Sequence, residues 1–134
     1  MSILAALIFV QAAPAAPPLP AFVTPPSDAV AQEIVAIDRK MKSWKGGVYP
    51  KDGQLTCRIS ESTGDDDIDA IRCGAMLRCV APAQADFDRI AALDIAKADR
   101  EARLAVLAES LQPCIEAAHE AGMRYLAEMR VAAR

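Results

Sequence analysis

The sequence predicts a mainly α protein with one small β-hairpin, in the order α-β-β-α-α with a long, kinked C-terminal helix, stapled by disulfides. Three observations predict it. Apolar residues recur at three- and four-residue spacing over most of the chain after residue 28, strict alternation is confined to 55–59, and four cysteines accompany an aromatic content of only 4%. A chain of 134 residues holds one domain. Its apolar fraction is 53%, much of it alanine, so the core is aliphatic and modest, and crosslinks would strengthen it.

Residues 1–27 carry no charged side chain. Ile3 to Val10 form a short apolar run followed by Ala12, Ala13, Ala15 and Ala16, the pattern of a cleavable secretory signal over 1–16. The run is too short to span a bilayer, which takes roughly 20 apolar residues. Six of the nine prolines fall between Pro14 and Pro26. Proline fixes φ and removes an amide donor, so 17–27 is expected to be an extended spacer, and 28–134 the single folded domain.

The first helix is expected from Asp28 to Trp44. Ser27 is a favourable N-cap, Val30, Ile34, Ile37, Met41 and Trp44 form one stripe, and Gly46 with Gly47 ends the helix. A hairpin over 47–60 follows: Val48 and Tyr49 start a strand, Pro50 to Gly53 turn the chain, and Leu55, Cys57 and Ile59 alternate with Thr56 and Arg58. Alternation puts Cys57 on the buried face. After a loop over 60–64, the second helix runs from Asp66 to Val80. Asp65, Asp66 and Asp67 cap its start and complement its dipole, since a calcium loop would need alternating ligands and a distal glutamate.

From Ala85 to Val131 the stripe Leu104, Leu107, Leu111, Cys114, Ile115, Ala118, Tyr125, Leu126 and Met129 predicts helix, begun by Phe87, Ile90 and Leu93. Asp99 with Arg103 and Glu120 with Arg124 are spaced as i,i+4 pairs. Pro113 breaks or kinks this segment, and Ser110 is placed to cap the restart.

A net charge of −3 and a pI near 5.1 leave no basic stripe for phosphates, which excludes nucleic acid as an expected partner. No stable membrane span is expected either. Cys57, Cys73, Cys79 and Cys114 contain no CxxC and the chain holds a single histidine, so no metal site is expected and two disulfides are. Cys73 and Cys79 lie six residues apart on one predicted helix, about 9 Å at 1.5 Å per residue, beyond disulfide reach. That leaves Cys57–Cys73 with Cys79–Cys114, or Cys57–Cys79 with Cys73–Cys114.

No catalytic residue stands out. His119, beside Glu116 and Glu120, has no nucleophile signalled near it and is expected at the surface. No serine sits in a nucleophile elbow, Gly46-Gly47 is not a phosphate loop, and no cofactor motif is present. Trp44 and Tyr49 flank the glycine pair and are the candidate binding surface, with Trp44 also completing the helix stripe toward the core.

The segment Leu55-Thr56-Cys57-Arg58-Ile59-Ser60-Glu61-Ser62-Thr63-Gly64-Asp65-Asp66-Asp67-Ile68-Asp69-Ala70-Ile71-Arg72-Cys73 resembles the strand–Ser/Thr-Gly–helix segment of TonB-type C-terminal domains. Ser62, Thr63 and Gly64 take the place of that family's turn, and Ile68-Asp69 of its Leu/Ile-Asp pair. Some alphaproteobacterial versions are similar in carrying cysteines on strand and helix. The resemblance therefore favours Cys57–Cys73 with Cys79–Cys114, and a TonB-like accessory module as one function. The last 50 residues read as helix where that family places a final strand. As a whole the chain is similar to exported alphaproteobacterial proteins.

The resulting expectation is a periplasmic or secreted, non-enzymatic protein without cofactor, binding a protein or envelope component through its helical surface or hairpin edge. A small periplasmic enzyme or enzyme inhibitor is the alternative, and a concave pocket with convergent polar groups near His119 would favour it.

Overall fold

A computed structural model of the chain describes residues 24–134. The expected signal segment and most of the proline spacer lie outside the described residues. The elements run α1 (Asp28–Met41), β1 (Lys45–Lys51), β2 (Gln54–Glu61), α2 (Asp66–Val80), a 3₁₀ turn (Ala81–Ala83), α3 (Gln84–Ala91), α4 (Lys97–Ser110) and α5 (Gln112–Ala132).

Local chemistry accounts for most boundaries. Ser27 Oγ accepts from the Val30 amide at 3.4 Å and starts α1. The helix stops at Met41, three residues before Trp44, and Lys42 closes it in the right-handed conformation. The expected glycine cap is thus corrected: Gly46 and Gly47 belong to β1. Trp44 still reaches the interior, at 5% exposure, because the turn over 42–44 swings it inward. A Cβ on Gly46 would lie 2.6 Å from both the Trp44 indole and the Arg58 carbonyl, so glycine is needed there for space. Asp52 and Gly53 have φ of 51° and 76°, the left-handed pair that a two-residue hairpin turn requires. The antiparallel register runs from Lys51 opposite Gln54 to Gly46 opposite Ile59. A bulge then places Lys45 opposite Glu61, where the two side chains pair at 2.6 Å.

Both disulfides have the connectivity favoured above. Cys57–Cys73 ties β2 to α2 with Cα atoms 5.7 Å apart, and Cys79–Cys114 ties the end of α2 to the start of α5 at 5.9 Å. Cys57 is half-buried on the hairpin face toward α2.

The C-terminal segment breaks twice. Pro113 falls in the first turn of α5, where its missing amide costs no helical bond. Ser110 does not cap that helix: it ends α4 and donates its hydroxyl back to the Leu107 carbonyl at 2.6 Å. A second break over 92–96 separates α3 from α4, and there Arg100 Nη1 donates to the Leu93 carbonyl at 3.2 Å. The spaced pair Asp99–Arg103 forms no ion pair, while Arg124 reaches Glu128 at 2.8 Å.

The core lies where α1, α2 and α5 meet. Val30, Ile37, Met41, Ile68, Leu126 and Ala127 form one cluster, with Ile37 and Ile68 almost fully enclosed. Ala75, Cys79, Ile115 and Ala118 form a second beside the Cys79–Cys114 bridge. Neither α3 nor α4 contains a buried residue. These two helices form an arm that leaves the body at Ala81 and returns at Gln112, and the Cys79–Cys114 bridge closes its base. No helix among the described residues is long and apolar enough to cross a membrane.

Candidate functional site

Two concave surfaces flank the body, and they differ in chemistry. The first is a hollow of about 220 Å³ between α1, α2 and α5, lined by Asp38, Met41, Lys42, Arg72, Glu116, His119, Glu120 and Met123. His119 is 8% exposed, which corrects the expected surface position. The stripe of α5 explains it: His119 follows Ile115 by four residues and precedes Leu126 by seven, so all three share a face.

Arg72 is the key neighbour. Its Nη1 lies 3.1 Å from His119 Nδ1 and 3.4 Å from Nε2, and its guanidinium packs over the Trp44 ring at 5.2 Å. A guanidinium can only donate, so the histidine ring facing it is neutral. Burial and then the Arg72 charge push the His119 pKa down to about 4, against an opposing hydrogen bond to the Arg72 backbone. Burial likewise depresses the Arg72 pKa. Arg72 Nε and Trp44 Nε1 are buried without an acceptor among the described residues. Of the three carboxylates at the hollow, Asp38 pairs with Lys42 at 3.4 Å, whereas Glu116 and Glu120 form no ion pair among the described residues. The hollow thus sets carboxylates against a shielded cation. It holds no serine, threonine or free thiol to act as a nucleophile.

The second surface is a groove of about 290 Å³ between the hairpin and the arm, lined by Val48, Pro50, Leu55, Val80, Gln84, Phe87, Asp88 and Ala108. Side chains alternate along a strand, so Val48, Pro50, Leu55 and Cys57 share the inner face of the hairpin. Tyr49 projects from the outer face, is 54% exposed, and has Arg58 over its ring at 5.7 Å. The two candidate aromatics are therefore parted. Trp44 belongs to the interior beside Arg72, and only Tyr49 is offered to solvent.

The cysteines are all bonded, and no cluster of three or more metal-ligating side chains occurs among the described residues. The acidic run 65–67 is structural. Asp65 Oδ1 accepts from the Ile68 amide at 3.4 Å and caps α2. Arg130 Nη2 donates to both Asp65 carboxylate oxygens, at 2.8 and 2.9 Å, and to Asp67 at 3.3 Å. This pairing holds the Asp65 carboxyl below its ordinary pKa.

The sequence marked Asp69 only through the Ile68-Asp69 pair of the resemblance and gave it no role; it is a carboxylate only 6% exposed. It accepts from the hydroxyl of Ser62, from the Thr63 amide at 2.9 Å and from the Thr63 hydroxyl at 2.7 Å. These bonds, the Ser62 one foremost, depress its pKa and lash the end of β2 to α2. Asp69 is thereby fully occupied in the Ser-Thr-Gly turn. No protein-family model, no curated protein and no solved structure matches this chain.

Proposed function

We propose that this chain is an exported, non-enzymatic binding protein of the periplasm or the extracellular space, and that it takes an extended, apolar segment of a protein partner at the hairpin edge. The observation that carries this reading is the groove lined by Val48, Pro50, Leu55, Val80, Phe87 and Ala108, with only Gln84 and Asp88 as polar side chains. It lies beside a strand edge that no strand covers among the described residues, where the sheet has two strands, β1 and β2. In a two-residue hairpin Lys51 and Gln54 exchange the closing hydrogen bonds, so Val48, three residues on, turns its amide and carbonyl outward. An added strand would find backbone partners there and a cavity for one side chain. Two disulfides suit an oxidising compartment and support the assignment to the cell exterior.

The test uses photo-crosslinking in the native host. A photoreactive residue at position 55 should capture one discrete protein, one at position 49 on the outer face should not, and Phe87→Arg should abolish capture from 55. Equal labelling from both positions, or none from 55, would remove the reading.

A second reading, a small-ligand site or enzyme, is favoured by the hollow at His119, where Glu116 and Glu120 form no ion pair among the described residues. Its charges suit a small cationic or zwitterionic compound. Thermal shifts by such compounds in the wild type, lost in Glu120→Gln, would support it, and no shift from any of them would dismiss it.

A further inference from the structure

We propose that the hollow between α1, α2 and α5 is a site for a basic α-amino acid of the lysine class, with the ligand carboxylate on Arg72 and its two ammonium groups on Glu116 and Glu120. The proposal rests on the small-ligand reading of this hollow and supplies its ligand. It does not depend on the groove.

Arg72 carries the argument. It is half-buried, yet it forms no ion pair among the described residues, and burial is what depresses its pKa, with no carboxylate near enough to oppose it. Its Nη1 faces the ring of His119, a neutral partner. Its Nε is buried without an acceptor, and its Nη2 donates to no group among the described residues. A cation withdrawn from water costs free energy until an anion meets it. The Trp44 ring, 5.2 Å from the guanidinium carbon, orients the planar group in advance, as a carboxylate receptor requires.

Charge then selects the ligand. Asp38 and Lys42 pair with each other at 3.4 Å and cancel. What remains in the hollow is Arg72 against Glu116 and Glu120, neither of which forms an ion pair among the described residues. A simple carboxylate would meet Arg72 but face two like charges. A diamine would satisfy both glutamates but face Arg72. A molecule with one carboxylate and two ammonium groups answers all three.

Shape agrees with charge. Glu116 and Glu120 stand about one turn apart on α5, roughly 5.4 Å along its axis, within reach of an α-ammonium and a side-chain ammonium on one ligand. Met41 and Met123 line the same hollow and offer adaptable apolar surface to the methylene stem. The volume of about 220 Å³ lies below that of sites for drug-sized molecules and suits a ligand of about ten non-hydrogen atoms.

Calorimetric titration of the oxidised chain with L-lysine tests this, at concentrations up to about 10 mM, since an open site for so small a ligand binds on the order of 0.1 to 1 mM. Cadaverine, which lacks the carboxylate, and aminocaproate, which lacks the α-ammonium, should each bind about tenfold more weakly than lysine. Glu116→Gln and Glu120→Gln, both at exposed positions outside the core, should each weaken lysine binding about tenfold. Arg72→Gln should bring lysine down to the level of cadaverine. Should that variant not fold, the ligand series on the wild type decides, because it reads the carboxylate without touching Arg72. Cadaverine binding as tightly as lysine would overturn the proposal and leave the small-ligand reading standing, and so would lysine binding undiminished in both glutamine variants. No heat from any of the three compounds would remove both.

Discussion

The body of α1, α2, α5 and the hairpin contrasts with the α3–α4 arm. The body contains nearly every buried side chain, both disulfides, and the ion network of Arg130, Asp65, Asp67 and Glu33. The arm has two helices of 8 and 14 residues with no buried residue in either, and few polar contacts to the body. Cohesion and display are thus divided between regions. A small aliphatic core holds one scaffold, and further apolar side chains are carried outside it, where they line the groove.

The largest expected effect comes from opening the bridge at the base of the arm. In the chain-entropy model the 35-residue separation of Cys79 and Cys114 corresponds to about 4 kcal/mol, against about 3 for the 16 residues between Cys57 and Cys73. The double Cys→Ser variant of the longer link should lower the urea midpoint more than that of the shorter. A reversed order would mean that the arm is not tethered chiefly by its base.

Next comes the interior. Ile68→Ala should cost about 3 kcal/mol, because the residue is fully enclosed and truncation leaves a cavity in the core. Leu104→Ala in the arm should cost about 1 kcal/mol or less by denaturant unfolding, since the side chain is only half-buried. Equal losses would erase the distinction between the regions.

Acid should weaken the body at the His119 hollow. The histidine is held neutral in the folded state, at about 4, while the unfolded chain titrates near 6.5. Between those values the unfolded state binds the extra proton, so stability is complete above pH 6.5 and falls as pH drops toward 4. The loss should be about 2 kcal/mol at pH 5 relative to pH 7.5, and His119→Gln should flatten that limb of the stability profile. Asp38 and Lys42 on α1, Arg72 on α2, and Glu116 and Glu120 on α5 face the same hollow. Asp65 and Asp69, whose folded pKa values are depressed, add their losses only as pH falls below about 3.8.

The smallest effect is expected at the tie between α5 and the cap of α2. Arg130→Ala should cost about 1 kcal/mol at low salt and less at high salt, because the Arg130 side chain is 27% exposed and its charge is partly screened. A loss independent of salt would point to packing of its aliphatic stem instead.

Helix existence was legible because periodicity is a local property. The stripes through Ile37, Leu107 and Leu126 all became helix, and alternation from Leu55 to Ile59 became a strand. Boundaries were less legible. Trp44 continued the stripe of α1 in spacing, yet it re-enters the core after a turn, and periodicity cannot tell the two apart. The break over 92–96 contains neither glycine nor proline. Of the sites, the bridge partners were narrowed by helix geometry to two pairings, and the observed one was favoured by the resemblance over residues 55–73. His119 had a usable signal in its spacing from Ile115 and Leu126, which its chemistry overshadowed. Its contact with Arg72 spans 47 residues, and the groove joins Leu55 to Phe87 and Ala108, so both arise only from tertiary packing.

The closeness of Cys79 and Cys114, whose Cα atoms are 5.9 Å apart, also gives the chain a modular grammar. A gap that narrow can be spanned by a tight turn, so residues 81–111 amount to an insert whose ends already meet. Lengthening, exchanging or excising that insert leaves the helices on either side in register, and variation among descendants of this chain can concentrate there without renegotiating the interior.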